Sequence, residues 1–405
     1  MIPSGRPLLS IAIPTYNRPE QLACLLDSIL YQYLPGMSLE IFVSDNSNDN
    51  RTSDLIEKYK RFLPIAYIQH QRNIGGCRNF IYSVGASNGA YCWIVGDDDL
   101  IAQGSITSIL EVLVSDPDVP GIVCGYSYQQ EDSRSRILAE LRQPNKVNYD
   151  APNFSDIDFN GLVEKWEDSF FLTQIPGLHT SILSCIFNRD LWLQNIGALG
   201  KNIPANEIPI PDEFDLLDTT FPHSLTWARM FVGRPVHVIS RPLAYLFYGG
   251  QDWLAKWPAV MFTRCLSLAD FFAQLGADPS AIRHYKRLIL MDSSLHVLIL
   301  ADDAYTRRIF SLERLASSNN RSKELFKNIG NLLRRSDVPF SSKLNVLVDL
   351  LSGGQRLKNL YRLYNSQDFP RSPLAFIRLS MLSGGKAVLR LFRRLIFMFS
   401  LKKPS

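Results

Sequence analysis

The stretch Tyr91-Cys92-Trp93-Ile94-Val95-Gly96-Asp97-Asp98-Asp99-Leu100 decides how the rest of the chain is read. Its first five residues are apolar, with aromatic and β-branched side chains, the composition of a short buried strand. Gly96 interrupts it, and three carboxylates follow in succession. Adjacent anions repel one another, and no secondary-structure propensity asks for three of them. A hard divalent cation does: Mg2+ or Mn2+ takes one or two carboxylates together with a substrate's phosphate oxygens. An acidic surface turn would also carry Asp. A buried strand running straight into the triplet speaks against a solvated turn.

The flanking sequence repeats the same pattern. Leu8 to Ile13 is an apolar strand that stops at Pro14, and Thr15-Tyr16-Asn17 follows. Arg18-Pro19 opens a helix where Pro is tolerated, and Leu22, Leu25, Leu26 and Ile29 form its apolar stripe. Leu39 to Val43 predicts a second strand ending in Ser44-Asp45-Asn46, and a helix then carries Leu55, Ile56 and Tyr59. Ile65 to Gln69 predicts a third strand, after which Asn73-Ile74-Gly75-Gly76 leads into a helix from Cys77 to Val84. Beyond the triplet come a helix over Ser105–Val114 and a strand over Gly121–Tyr126. Strands alternating with helices on short connections predict a parallel, doubly wound α/β sheet. Ligands of such sheets bind at the carboxyl ends of the strands. The Thr15, Asp45 and Asp97 clusters all fall there, so three separate stretches converge on one crevice.

At 405 residues the chain can bury a large core and divides into more than one unit. Its net charge of +4 is unevenly placed. Residues 371–405 hold eight Lys and Arg and no Asp or Glu, which leaves 35 basic against 39 acidic residues in the body. The body is therefore mildly acidic, which excludes nonspecific nucleic-acid binding by it. The six cysteines are scattered without a Cys-x-x-Cys pair, which predicts a reducing compartment and no zinc site. No signal-peptide layout and no membrane-spanning stretch is present, so the expected protein is soluble or peripheral.

Ile11-Ala12-Ile13-Pro14-Thr15-Tyr16-Asn17-Arg18 resembles the opening of family 2 glycosyltransferases. Val43-Ser44-Asp45-Asn46-Ser47, Asn73-Ile74-Gly75-Gly76-Cys77-Arg78-Asn79 and Gly96-Asp97-Asp98-Asp99 are similar to that family's successive motifs, in order and in spacing. The resemblance covers about residues 7–250. It implies the GT-A fold, a Rossmann-like mixed sheet, with a nucleotide-sugar donor and Mn2+ or Mg2+. Within the family the sequence looks like the abequosyltransferase-like enzymes of surface-polysaccharide assembly. The resemblance places Pro14, Thr15, Tyr16, Asn17, Arg18, Asp45, Asn46, Asn73, Arg78, Asn79 and Asp97 along the donor, with Tyr16 stacking on the base. Asp98 and Asp99 would hold the metal, Asp98 first. The family more often shows Asp where Gly96 stands. Taken alone, Tyr16 could also be a core aromatic, Asp45 and Asn46 could cap a turn, and the Gly75-Gly76 pair is only a loop signal.

The second half of the domain is harder to read. Glu131 to Asn160 is polar and predicts an acceptor-side loop or hairpin. Gly177 to Ser181, before an expected Ile182–Phe187 strand, enters the cleft from the acceptor side; His179 there is either a contact or a structural histidine. Glycosyl transfer with inversion needs a base for the acceptor hydroxyl. The family usually supplies a Glu-Asp pair just before a helix, but here Asp218-Thr219-Thr220-Phe221-Pro222-His223 stands in its place. His223 or Asp218 is the expected base, with Asp212, Glu213 and Asp215 behind them. His223 could equally be a helix-start cap.

Val236–Ile239 predicts a strand, and Pro242–Tyr248 resembles the family's closing segment. The expected domains are 1–250 (catalytic), 251–375 (a helical extension with no catalytic motif) and 376–405. In the last, a helix from Lys386 puts Lys386, Arg390, Arg393 and Arg394 opposite Val388, Leu391, Phe392, Leu395, Ile396 and Phe399. That layout suits an anionic membrane surface, or a helix docked on the protein's own core. The expected acceptor is a glycan or a polyprenyl-linked sugar at the cytoplasmic face. Two rivals are a nucleotidyltransferase that makes nucleotide sugars and a membrane-surface binding protein with a degenerate site.

Overall fold

The computed structural model describes residues 5–143, 158–173, 179–197, 217–248, 257–286 and 288. The described residues form a mixed sheet flanked by helices. Its first half is β1 (Leu9–Thr15), β2 (Leu39–Asp45), β3 (Ile65–Gln69) and β4 (Tyr91–Ile94), in spatial order β3-β2-β1-β4 and all parallel. Between them run α1 (Pro19–Leu30), α2 (Arg51–Tyr59) and α3 (Gly76–Ala86). β1 and β2 are buried almost throughout, as expected of strands covered by helices on both faces.

The second half makes the sheet mixed, as the family resemblance implies and unlike the parallel sheet read from strand–helix alternation alone. It comprises β5 (Leu100–Ile101), α4 (Ser105–Ser115), β6 (Gly121–Gln130), α5 (Arg134–Leu141), β7 (Asn160–Val163), β8 (Cys185–Asn188), α6 (Arg189–Asn195), α7 (Leu217–Thr220), α8 (Pro222–Phe231) and β9 (Val236–Tyr248). β8 sits between β4 and β6 and runs against both. It enters that gap from the carboxyl end of β4, through a 3₁₀ turn at Ile182–Ser184 whose Leu183 carbonyl accepts from the Trp93 indole at 2.8 Å. This shortens the expected Ile182–Phe187 strand and brings residues 179–182 to the same end of the sheet as the acidic triplet. The two closing segments merge into one strand, β9, whose register against β6 slips at Gly125. A Cβ on Gly125 would lie 2.3 Å from the Ser240 carbonyl oxygen, so only glycine lets the strands approach there. The polar stretch after β6 begins as helix, a 3₁₀ turn at Glu131–Ser133 that continues into α5, and ends at Asn160 in β7.

α9 (Trp257–Gln274) stops at Gly276, which has φ +91. Its Cys265, Leu268, Ala269 and Phe272 belong to the same apolar core as β1, β4 and α8. No helix of the described residues is long and apolar enough to cross a membrane. The 376–405 segment, the extension beyond residue 288, and Asp212, Glu213 and Asp215 lie outside the described residues.

Candidate active site

The site is built where β1 outruns β4. The paired register ends at Ala12 opposite Ile94, and Val95 still donates to the Ala12 carbonyl at 3.1 Å. Carried three residues further, that register sets Thr15 level with Asp97. There the Thr15 hydroxyl donates to Asp97 Oδ2 at 2.7 Å. The chain then turns sharply through Asn17, whose φ of 55 is left-handed, a conformation Asn tolerates better than most residues. The Asn17 amide donates to Ser47 Oγ at 2.8 Å, tying the turn to the end of β2. The turn leaves Tyr16 45% exposed, a ring free to stack, and folds Arg18 back over the end of β4. Arg18 Nη1 lies 2.9 Å from Asp98 Oδ2 and 3.5 Å from Asp97 Oδ1.

The three carboxylates face different partners. Asp97 and Asp99 are buried, while Asp98 is the most accessible. Burial, with the neighbouring Asp98 charge adding to it, pushes the Asp97 carboxyl up to about 7. The same two causes push the Asp99 carboxyl well above its ordinary value, against the Gly96 amide that donates to its Oδ2 at 3.2 Å. Gly96 is tightly placed. A Cβ there would come within 2.9 Å of Asp99 Oδ2 and 3.0 Å of Asp98 Oδ1, so the glycine is what lets both carboxylates fold in. Among the described residues no three His, Cys, Asp or Glu side chains form a closed metal cage. The donor set nevertheless suits Mg2+ or Mn2+ completed by a diphosphate, because such ions take only one or two protein carboxylates and fill their shell with phosphate oxygens and water. Charged groups crowded into a cleft until ionisation is costly are a mark of functional sites.

On the β2 side, the expected residues divide into those that face the crevice and those that build it. Asp45 is fully buried; its Oδ1 accepts from the Ser47 amide at 2.8 Å and its Oδ2 from the Tyr67 hydroxyl at 2.9 Å. Lone pairs remain for a ligand donor. Asn79 differs from its expected role. Its two N–H groups go to the carbonyls of Thr15 (3.2 Å) and Ser44 (3.0 Å), and its Oδ1 accepts from Ser44 Oγ at 2.7 Å. It clamps the ends of β1 and β2 together, and both its N–H groups are committed to that task. Asn46 braces the loop before α3 through the Ile74 amide and the Gly75 carbonyl, both at 3.3 Å. Asn73 Oδ1 accepts from the Gly75 amide at 2.8 Å. Arg78, half-buried, follows at the start of α3, and Pro14, also half-buried, lies near the end of β1 opposite Ser44.

The two histidines expected on the acceptor side lie inside the protein. His179 is 2% exposed among Trp166, Phe170 and Tyr285, and burial holds its ring neutral, down to about 3. His223 Nε2 donates to the Thr180 carbonyl at 2.8 Å, with Phe80 and Trp227 packed edge-on against the ring. Burial lowers His223 to about 4. Its Nδ1, the nitrogen left with the lone pair, is buried without a partner, so no donor delivers a proton to it. Among the described contacts neither histidine reaches the carboxylates. The reason is α8 itself, which is buried on nearly every face, so its second residue points into packing. Asp218, by contrast, stands exposed at the start of α7.

Sequence reading missed Arg134. The Glu131 carboxylate grips its Nε and Nη2 at 2.7 and 2.8 Å, and the guanidinium lies 4.1 Å over the Phe247 ring. Its Nη1 is buried without a partner, and its charge is felt at both Asp98 and Asp99. The only signal was the i,i+3 Glu–Arg spacing, in a stretch that otherwise looks like a polar loop. Ser44, which fixes Asn79, stood in a motif with no role of its own assigned, and Tyr67, which fixes Asp45, read only as a strand residue.

A mixed central sheet flanked by helices, with its polar clusters at one end, defines an α/β protein. Comparison with known proteins gives the class. The glycosyl transferase family 2 pattern matches residues 10–162. Abequosyltransferase RfbV of Salmonella typhimurium is 30% identical over 253 residues, 62% of this chain and 69% of that protein. The poly(ribitol-phosphate) beta-N-acetylglucosaminyltransferase TarS of Staphylococcus aureus is 30% identical over 100 residues, 24% of this chain and 17% of TarS. The crystal structure of TarS 1–349 in complex with UDP-GlcNAc superposes with a TM-score of 0.50 at 16% identity, covering 89% of this chain and 93% of that one; it shows the shared GT-A fold. The chain belongs to glycosyl transferase family 2 and is a glycosyltransferase.

Proposed function

We propose that the protein transfers a sugar from a nucleotide-sugar donor, held with Mn2+ or Mg2+ at the carboxyl ends of β1, β2 and β4, to a glycan or lipid-linked acceptor of surface polysaccharide. The observation that carries this reading is the meeting of three distant stretches at one point: the turn after β1 bonds through Asn17 to Ser47 after β2, and through Thr15 and Arg18 to Asp97 and Asp98 after β4. In this reading Tyr16 stacks on the base, Asp45 accepts from base or ribose, and Asp97 faces the ribose. Asp98, with Asp99 behind it, would hold the cation, which supplies charge neutralisation for the departing diphosphate. Asn79 and Asn46 act from behind, fixing the strand ends and the loop before α3. The resemblance to an abequosyltransferase supports a polysaccharide acceptor, and the basic amphipathic 376–405 segment would keep the enzyme on an anionic membrane surface beside it.

Inversion is a single displacement. The acceptor oxygen bonds to the anomeric carbon as the carbon–oxygen bond to the diphosphate breaks, and the hydroxyl proton passes to a base. Of the two candidates, the exposed Asp218 carboxylate suits that role. His223, committed through Nε2 and interred among aromatic rings, suits a link between α8 and the 179–181 segment. The test is to incubate the full chain with UDP-, GDP-, CDP- and dTDP-sugars and follow nucleoside diphosphate release with Mn2+ and with EDTA. The expected result is release from one donor class, lost with EDTA and in Asp98→Ala. Release that ignores EDTA would remove the metal from this reading, and a product of retained anomeric configuration would remove the single displacement.

A further inference from the structure

Arg18 occupies the place where a cation would do the most electrostatic work. One of its nitrogens reaches two carboxylates of the triplet at once, 2.9 Å from Asp98 and 3.5 Å from Asp97. A short guanidinium–carboxylate contact of this kind is charge-assisted. It also fills the coordination space of the most accessible carboxylate of the three. A divalent ion and a guanidinium cannot share that edge of Asp98, because two cations so close repel one another.

The second arginine near the triplet is built differently. Arg134 is gripped through two nitrogens by Glu131 and laid over Phe247, so it is a fixed charge. Arg18 is one residue beyond the left-handed turn at Asn17 and two beyond the exposed Tyr16, on the crevice rim, and its side chain is 31% exposed. It is the arginine of the two that can leave. We propose that Arg18 is the resident counter-ion of the acidic triplet. It neutralises Asp97 and Asp98 while the site is empty, yields that place to the divalent cation when the donor arrives, and then turns its guanidinium to the donor's diphosphate. Guanidinium geometry matches phosphate as well as carboxylate, so the side chain exchanges one anion for another and is never left without one. The inference rests on the metal and donor reading above and adds to it an order of events. It also gives Arg18 effects of opposite sign on the two ligands.

That opposition is what an experiment can read. Manganese alone is titrated into the full chain and its free fraction followed by electron paramagnetic resonance, for the wild type, Arg18→Met, Arg18→Lys and Asp98→Asn. Losing a competing ion pair of this exposure corresponds to about a fivefold gain, so Arg18→Met is expected to bind Mn2+ about fivefold more tightly than the wild type. Arg18→Lys, which keeps a cation, should stay near the wild type, and Asp98→Asn should bind worst. At saturating Mn2+ the order reverses. The nucleoside diphosphate that binds the wild type, out of UDP, GDP, CDP and dTDP, should bind Arg18→Met about tenfold more weakly, the scale of one lost charge-assisted contact. A merely structural arginine would weaken both ligands or neither. The proposal is overturned if Arg18→Met binds Mn2+ no more tightly than the wild type while the wild type still takes Mn2+ with a nucleotide; the donor reading then survives without it. If no variant takes Mn2+ with or without any nucleotide, the metal reading and this inference fall together. Arg18→Gln provides the same comparison should the Met variant fold poorly by its melting temperature.

Discussion

Two clusters of polar side chains, one at the ends of β1, β2 and β4 and one around His179 and His223, are treated in opposite ways. In the first, polar groups at the strand ends are bonded to one another and to backbone: Asn79 to Thr15 and Ser44, Asp45 to Ser47 and Tyr67, Thr15 to Asp97. In the second, His179 and His223 sit among aromatic rings with one nitrogen each left without a partner, as do the indole nitrogens of Trp192 and Trp227. A network with its bonds satisfied is rigid and fixes a site before the ligand comes. A set of buried polar atoms without partners costs stability and works as packing. The strand ends are thus fixed before any ligand arrives, and Asp218 is exposed where the two histidines are interior.

This contrast can be broken at several points. The largest effect is expected at Asp218: Asp218→Asn should lower kcat by at least about a hundredfold, the usual contribution of a general base, with nucleotide affinity unchanged. In His223→Phe, kcat per folded molecule should hold while the melting temperature falls. The opposite pattern, kcat lost at His223 and kept at Asp218, would reverse the assignment. Next comes Asn79→Ala, which removes a buried clamp and should cost about 2 kcal/mol by denaturant unfolding, with nucleotide affinity falling alongside. A loss of affinity at full stability would instead make Asn79 a ligand contact.

A smaller effect follows from Asp97. Burial raises its carboxyl to about 7, above the ordinary carboxylate value. The folded protein therefore holds a proton there that the unfolded chain has released. The contribution is complete below about pH 4 and fades as pH rises toward 7. Across that window the ligand-free wild type should lose stability relative to Asp97→Asn. Parallel melting curves from pH 5 to 8 would show that the carboxyl ionises normally. Smallest of all is Gly96→Ala, whose Cβ would press on Asp98 and Asp99 and should weaken Mn2+ binding a few-fold, with nucleotide affinity in the absence of metal unchanged.

The sequence was legible where punctuation and charge coincide. Pro14, Gly96 and Gly75 mark strand ends and turns, and three polar clusters at such ends can converge in only one way on a parallel sheet. The four strands from Leu9 to Ile94 and the Thr15–Asp97 meeting were readable for that reason. Strand direction is not written in alternation, so the antiparallel insertion of β8 was not. The burial of α8 was equally hidden, because a helix apolar or small on almost every face has no stripe to read, and His223 looked available when it is interior. Asn79 was recognisable as a motif residue, but only the hydrogen bonds show that it holds two strands. Arg134 lay in a stretch whose polarity concealed a helix.

The most direct test of the donor site is the melting temperature of the full chain with UDP, GDP, CDP and dTDP, each with and without Mn2+. Selective binding to the folded state raises that temperature. The account predicts a metal-dependent rise for one nucleotide, abolished in Asp98→Ala. No rise with any of them, or a rise that survives Asp98→Ala unchanged, would contradict it.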